Sequence, residues 1–500
     1  MLKMNLSLLF YLIIVSLLEN SCGSNTNNII SCLNKTKITC YLDNQVNALA
    51  ENESIWNSSQ LNLKIISFKN VNLLNENIFI GLDLYSLDVS NNQDTLEDWS
   101  IMEAINSFTN LTALNLSYNR ISQTRTNQFY RLAKLTMLDL SYNQIFYFEA
   151  NSFAGLSSLV HLNLSRNKLT EIEENDLDNM PLLECIDLDF NKMKKIRNNV
   201  FSSMKKLSAV LFRSNKIKTI DKESFKDLIF LETVKLNANK LKSINSLIAI
   251  YSNVSDLDLS DNLVETFEQF QQITTITSLN LAKNNISQIS DYSFIYFNIY
   301  NRRNVYTFLK LLNLSLAFNK LNQISDKTFY GLNSLKYIDL SNNMIESLSS
   351  KFLVSTPKLI SLNLKNNRIK YLDGIDWRKD VLTSALKIID LEKNLLTEIS
   401  LSNFPDNLIE INFKLNRLNK IDVNNGFNNA DLSISLDDTY FLSILKPNNI
   451  LTNNNLTFFF LKDKCLIAIR KEMFAYLKKL LIIYLKNNQI KFIENNTFTH

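Results

Sequence analysis

Apolar and polar positions along this chain fall into an eleven-residue block, L-x-x-L-x-L-x-x-N-x-L, that returns at intervals of usually 24 residues. Leu135, Leu138, Leu140, Asn143 and Ile145 make one copy; Leu159, Leu162, Leu164, Asn167 and Leu169 make the next. The x-L-x-L-x part alternates as a short β-strand does, with leucines on one side and variable residues on the other. A second signal lies ten residues past the Asn position, at Phe129, Phe153, Phe201, Phe225, Phe294, Phe329 and Phe474, often with Leu or Met three residues later. That spacing predicts helical or 3₁₀ turns packing a row of Phe under the strands. A fixed period of this length predicts a stack of like units, a solenoid whose core lengthens without thickening.

Eighteen units can be counted. Their Asn positions are Val71, Asn92, Asn119, Asn143, Asn167, Asn191, Asn215, Asn239, Asn262, Asn284, Asn319, Asn343, Asn367, Asn394, Asn416, Thr439, Lys464 and Asn488. Fifteen of the eighteen are Asn, beyond chance even in a chain with 71 Asn. The chemical reason is the bend that follows each strand, which buries backbone groups needing partners. A side-chain amide has donors and acceptors for both neighbouring turns, so a ladder of inward Asn is expected. Two departures stand out. The 35-residue step from Asn284 to Asn319 leaves about eleven extra residues, near Asn298–Phe308, expected to bulge from one flank. Thr439 and Lys464 mark degenerate units around the polar stretch Asn424–Asn429.

Over residues 32–500 these blocks resemble the extracellular leucine-rich repeat proteins of animals, of the 24-residue type with a Phe-x-x-Leu second half, chaoptin-like adhesion proteins and Toll-like receptor ectodomains among them. The resemblance implies an α/β solenoid: a horseshoe with a concave parallel β-sheet and a convex side of short helices, 3₁₀ turns and loops. It also implies a protein-binding scaffold in cell-surface adhesion or recognition. The family's other roles are the ectodomain of a Toll-like transmembrane signalling receptor and the secreted regulator. Many insect Toll ectodomains carry internal cysteine-cap clusters, which this array lacks, and that tilts the expectation to adhesion.

Composition adds limits. Hydrophobic residues make up 46% and charged residues 20%, and only six Gly and four Pro leave little material for linkers. A net charge of +4 over 500 residues gives no indication of nucleic acid. Lys3, the apolar run Leu6–Leu18 and the small residues Ser21-Cys22-Gly23 read as a secretory signal over residues 1–23. Cleavage there would remove Cys22 and leave Cys32, Cys40, Cys185 and Cys465. Cys32 and Cys40 bracket a seven-residue hairpin, read as a disulfide closing an N-terminal cap at residues 24–60; the alternative is two free thiols. Cys185 and Cys465 read as inert. Residues 61–500 form the array, expected to be C-terminally incomplete because His500 falls before the next strand. Membrane attachment is then expected only through a segment beyond the chain, and the location is extracellular or cell-surface by the secretory pathway.

No reaction chemistry emerges. The two His, His161 and His500, have no partner pattern, and no metal-ligand spacing, phosphate loop or nucleophile elbow appears. No enzyme activity and no cofactor is expected. Asp187 and Asp189 share a face, which is read as a solvated strand.

Binding surfaces are the alternative. The inner face is read from Ser86/Asp88/Ser90, Ala113/Asn115/Ser117 and Met137/Asp139/Ser141. Phe458 and Phe460 beside Ile482 and Tyr484 would make an apolar patch, unless the degenerate unit has slipped register. Lys192, Lys194, Lys216, Lys218, Lys240 and Lys242, preceded by Lys168, would align as a basic stripe. Arg213 and Lys235 would add charge on the inner face. The stripe suits an acidic protein partner or a sulfated glycan, and is otherwise a solvated flank.

Eleven N-x-S/T sequons follow the signal, at Asn34, Asn52, Asn57, Asn110, Asn115, Asn163, Asn253, Asn285, Asn313, Asn455 and Asn495. With 75 Ser and Thr, chance alone supplies about eleven, so their position carries the meaning and their number does not. Asn115, Asn163 and Asn313 fall mid-strand on the inner face, where glycans would obstruct it.

Overall fold

A computed structural model describes residues 31–32, 37–42, 46–51, 61–66, 84–91, 101–243, 253–266, 275–298, 305–308, 310–349, 351–372, 385–418 and 420–422, with shorter pieces out to 498. The segment 1–23, read from sequence as a secretory signal, lies outside the described residues, as do Asn34, Asn52, Asn57, Val71, Asn92, Thr439, Asn455, Lys464, Phe474 and Asn488. Two compact units make up the chain, residues 1–235 with 249–252 and residues 236–248 with 253–500.

In the first unit the sheet begins with antiparallel strands. Ser31–Cys32 pairs with Lys37–Leu42, which pairs with Val46–Glu51, which pairs with Leu61–Ile66. Cys32 stands directly opposite Cys40 in that register. From Leu61–Ile66 onward the pairing is parallel: Leu84–Asp88, Ala113–Asn115, Met137–Asp139, His161–Asn163, Cys185–Asp187, Ala209–Leu211 and Thr233–Lys235. Leu162 is flanked by Leu138 and Ile186, one block before and one after, so sequence period and strand register coincide. The second unit repeats the arrangement from Asp256–Asp258 through Ser278–Asn280, Asn313–Ser315, Tyr337–Asp339, Ser361–Asn363, Ile388–Asp390 and Glu410–Asn412 to Ser433–Ser435. The extra residues after Asn284 form an antiparallel hairpin, Ile295–Asn298 against Val305–Phe308.

Each unit is thus a parallel-strand solenoid. The block leucines are fully buried, and so is the row of Phe beneath them: Phe129, Phe153, Phe201, Phe225, Phe294 and Phe329. Phe129 stacks on Phe153 and Phe201 on Phe225, with centroids 6.1 and 5.9 Å apart. The side opposite the sheet departs from expectation, for helix is scarce there. Among the described residues Met102–Asn106 is α-helical and Leu401–Asn403 is a 3₁₀ turn; the Phe-bearing stretches are hydrogen-bonded turns. The reason is length. Between one strand and the next there is room for single turns around the Phe anchor, and a first helical turn has no following turn to repay its nucleation. Gly155 marks how tight these turns are: its φ is +98°, and a Cβ there would meet Phe129 O at 2.5 Å.

The bends impose the sharpest constraint. Immediately before each Asn position the backbone turns left-handed, φ 53–60°, and the residue is never Gly. These residues are Asn91, Tyr118, Tyr142, Arg166, Phe190 and Ser214 in the first unit. In the second they are Ala238, Asp261, Lys283, Phe318, Asn342, Asn366, Lys393 and Leu415. A left-handed non-glycine residue costs about 1–2 kcal/mol.

The ladder offsets that cost. Thirteen Asn side chains, Asn119 to Asn416, are buried. Asn143 Nδ2 donates to Leu116 O of the preceding turn at 2.9 Å and to Leu140 O of its own at 3.1 Å, while its Oδ1 accepts the Ile121 N–H at 3.1 Å. Asn167, Asn191 and Asn215 repeat the pattern in the first unit, Asn262, Asn284, Asn319, Asn343, Asn367, Asn394 and Asn416 in the second. At about 1 kcal/mol net per bond, and about 1–3 kcal/mol for each buried group left unpaired, the amide outweighs the strain.

One consequence is measurable. Asn215 Nδ2 bonds Leu188 O and Phe212 O, and its Oδ1 takes the Met193 N–H. Asn215→Leu is expected to destabilise the protein by about 3 kcal/mol or more. Lys216→Glu, at the exposed neighbour, should change stability by no more than about 0.5 kcal/mol. Urea denaturation followed by circular dichroism compares the two, and equal midpoints would contradict the ladder's role.

Candidate interaction surface

Strand residues that do not point into the core line the open face of the sheet. Their chemistry is set by a second column of amides and carboxylates, at the last strand position of most blocks. The Oδ1 atoms of Asp88, Asn115, Asp139, Asn163 and Asp187 accept the N–H two residues on, at 2.8–3.0 Å. In the second unit Asp258, Asn280, Asp339, Asn363, Asp390 and Asn412 do the same. A short polar side chain closing such a turn explains why the position is Asp or Asn in eleven described blocks. Sequence reading took these residues as anonymous polar surface; the signal was the restriction to two residue types.

The same turn corrects the assignment of the serines two residues later. Ser117, Ser141 and Ser165 are buried and do not lie on the open face, because the strand ends before them and the bend carries them inward. Asp189, which occupies the equivalent place, is only 2% exposed, so the reading of Asp187 and Asp189 as a solvated strand face is also corrected. Asp189 accepts the Arg213 N–H and the Arg213 Nε, each at 2.5 Å. Burial pushes both Asp187 and Asp189 above the ordinary carboxylate range, with their mutual repulsion adding for Asp189 and Arg213 opposing. Arg213 is therefore committed to an internal pair. Cys185, half-buried on the same strand, has its thiol pushed up by burial, which makes it a poor nucleophile. His161 is exposed on the face, and Met137 is 54% exposed beside it.

The lysine positions lie along one flank. Lys192, Lys194, Lys216 and Lys218 are exposed in the first unit, with Lys168 one turn earlier. The Lys216 N–H donates to Met193 O and the Lys218 N–H to Lys194 O, so successive turns are in register. Lys168 Nζ donates to Gln144 Oε1 at 2.7 Å. Lys240 and Lys242 are exposed in the second unit. The strands Phe458–Phe460 and Ile482–Tyr484 pair in parallel, Phe458 opposite Ile482 and Phe460 opposite Tyr484. Their side chains lie outside the described residues, as do those of Cys32 and Cys40. Of the sequons, Asn115 and Asn163 are half-buried on the open face and Asn313 is exposed on a strand; Asn253 and Asn495 are exposed, and Asn110 and Asn285 half-buried, elsewhere.

One feature of this flank escaped sequence reading. The left-handed residues of four successive turns form a continuous stack. The rings of Tyr118 and Tyr142 lie 3.9 Å apart and nearly parallel, and the Arg166 guanidinium sits 4.9 Å from the Tyr142 ring and 4.0 Å from the Phe190 ring. The residue before each ladder Asn was the available signal, reading Tyr, Tyr, Arg, Phe in consecutive blocks.

Comparison with known proteins agrees with this architecture. The leucine rich repeat family matches residues 102–145, 147–193, 181–241 and 310–369. Over those residues the chain carries leucine-rich repeats. It is 27% identical to chicken (Gallus gallus) Tsukushi over 175 residues, 31% of this chain and 46% of that protein. Against human (Homo sapiens) Lumican the identity is 27% over 224 residues, 39% of this chain and 64% of the relative. The matches thus span about half to two thirds of the relatives' lengths. The fold resembles that of a chain in the Drosophila Toll–Spatzle complex, with a TM-score of 0.57 at 19% identity, covering 85% of this chain and 56% of the other.

The raised pKa of Asp187 gives a test with a definite sign. A carboxyl whose folded value lies above its unfolded one binds protons more readily when folded. It therefore costs stability once both states are ionised, and the cost is relieved as pH falls through the raised folded value. Asn115 and Asn163 show that Asn closes the same turn. Asp187→Asn is expected to raise the melting temperature at pH 7, with the advantage shrinking on acidification towards pH 4. A gap that is absent at pH 7, or that widens in acid, would contradict the burial cost.

Proposed function

We propose that this protein is an extracellular protein-binding scaffold acting in recognition or adhesion at the cell surface. The observation that carries the reading is the architecture itself. The described turns commit their interior to the Asn ladder and to a buried apolar row, Phe in most turns and Leu177 in one, and leave their outward residues free to vary. Such a surface gives broad contact area and no deep, dry cleft, which suits binding and not catalysis. The likeness to Tsukushi and Lumican supports an extracellular setting. The likeness to a chain of the Toll–Spatzle complex supports a protein partner over a sulfated glycan.

Residues 1–23 then act as a secretory signal and residues 24–60 as the N-terminal cap, where the Cys32–Cys40 register suits a disulfide across a non-helical pair. The turn at Asn163 engages Oδ1, which accepts both the N–H and the hydroxyl of Ser165. Nδ2, the atom a glycan would join, takes no part in it. Glycans on Asn115 and Asn163 would crowd the open face of the first unit and direct partners to its flank.

The full chain, tagged and expressed in cultured animal cells, is expected in the medium. Peptide mapping should find Asn115 and Asn163 glycosylated and Cys32 joined to Cys40. A chain retained in the cytosol, with bare Asn and reduced cysteines, would overturn the extracellular reading.

A further inference from the structure

Five successive turns of the first unit share one unusual flank. Taking the residues one before, one after and three after each ladder Asn from Asn119 to Asn215, the flank contains Arg120, Arg166, Lys168, Lys192, Lys194, Lys216 and Lys218. Tyr118, Tyr142, Phe146 and Phe190 are interleaved with them, and no acidic residue occurs at any of these places. All eleven are exposed, Tyr118 by 44% and Phe190 by 43%. The acids of the neighbourhood pair elsewhere: Asp189 with Arg213, Asp221 with Lys195, and Glu171 and Glu173 with Arg197.

We propose that this strip, centred on the stack of Tyr118, Tyr142, Arg166 and Phe190, docks an acidic segment of a protein partner. The proposal rests on the scaffold reading above and names the chemistry of its partner. Tyr142 is engaged by Tyr118 and by Arg166, and Tyr118 and Phe190 have one stacking partner each, so the strip presents ring edges, the electropositive rim of an aromatic quadrupole, together with the tyrosine hydroxyls. Arg166 is held between two rings, which restrains its planar fork for a carboxylate before any partner arrives. Lysines on both sides complete a surface whose complement is anionic. The aromatics argue for protein over sulfated glycan, since a polyanion needs only the charge, whereas Tyr, Phe and Arg together are the composition of protein interfaces.

The backbone gives a second reason. The stacked aromatics stand in left-handed geometry, which Asn tolerates better than most residues other than glycine and which Asn342 and Asn366 occupy in the second unit. Their exposure leaves core packing with no account of them. Five turns at about 4.8 Å per strand spacing make a strip on the order of 20 Å, the reach of an extended segment of about six residues.

The test uses the secreted full chain, with a random glutamate–tyrosine copolymer as the acidic-protein probe and heparin as the rival, each titrated at low and high salt. Tyr118→Asn, Tyr142→Asn and Phe190→Asn together are expected to weaken copolymer binding at least tenfold, leave heparin binding unchanged and leave the melting temperature intact. Arg166→Lys, which keeps the charge and loses the fork, should also weaken the copolymer while the fold holds. Reversing Lys192, Lys194, Lys216 and Lys218 to Glu should abolish both. Copolymer binding that ignores the aromatic changes and Arg166→Lys, or is absent, overturns the strip while a secreted, glycosylated chain keeps the wider reading. Heparin binding lost with the aromatics would make the site a glycan site and overturn the protein partner. A chain that never leaves the cytosol overturns both readings.

Discussion

A side-chain amide buried at a bend is the interaction on which the rest of the structure depends. Each turn of the solenoid must reverse within a few residues, and it does so through a left-handed residue with no glycine to ease it. The reversal leaves carbonyls such as Leu116 O and Leu140 O facing inward with no strand to pair with, and Asn143 reaches both. Its own oxygen is then used by the backbone of the preceding turn, at Ile121 N. No turn is satisfied alone, which is why the unit of stability is the stack and not the repeat.

The ladder also decides what the surface can be. Because the amide closes the bend, the left-handed residue before it is held in place without help from its own side chain. That side chain points outward and is free to differ from turn to turn, from Asp261 and Lys283 to Phe318 and Leu415. In the first unit the freedom is used for Tyr118, Tyr142, Arg166 and Phe190, which stack because the turns repeat at a ring's width. A strained backbone site, paid for by a neighbour, becomes a position where composition answers to function.

Much of the fold was legible because the period of the sequence is the period of the structure. Leu138, Leu162 and Ile186 pair in the register their 24-residue spacing predicts, and the extra residues after Asn284 emerge as a hairpin where the spacing lengthens. What resisted reading was local. Alternation alone assigns Ser117, Ser141 and Asp189 to the open face, but alternation ends where the strand does, and the bend turns them in. Phe spacing suggested helical or 3₁₀ turns, and single hydrogen-bonded turns are what most of those stretches form. The stacked flank was hidden for another reason: pattern reading looks for apolar positions that recur, and the residues before the ladder Asn do not recur in type, only in conformation.

The strand-end column shows how one structural requirement leaves a functional choice open. Asp139 and Asn163 close their turns with the same Oδ1 contact, at 2.8 and 3.0 Å, so the bend is indifferent between them. The two are not equivalent to anything outside the turn. At Asp187 and Asp390 the carboxylate carries a charge that partial burial disfavours, and so costs stability at neutral pH. Asn carries no such cost and, where Ser follows two residues later, creates a sequon, as at Asn115 and Asn163. Along the first unit the column alternates Asp88, Asn115, Asp139, Asn163, Asp187. Since either residue satisfies the fold, the alternation is not dictated by packing. It spaces charged strands between sequon-bearing ones.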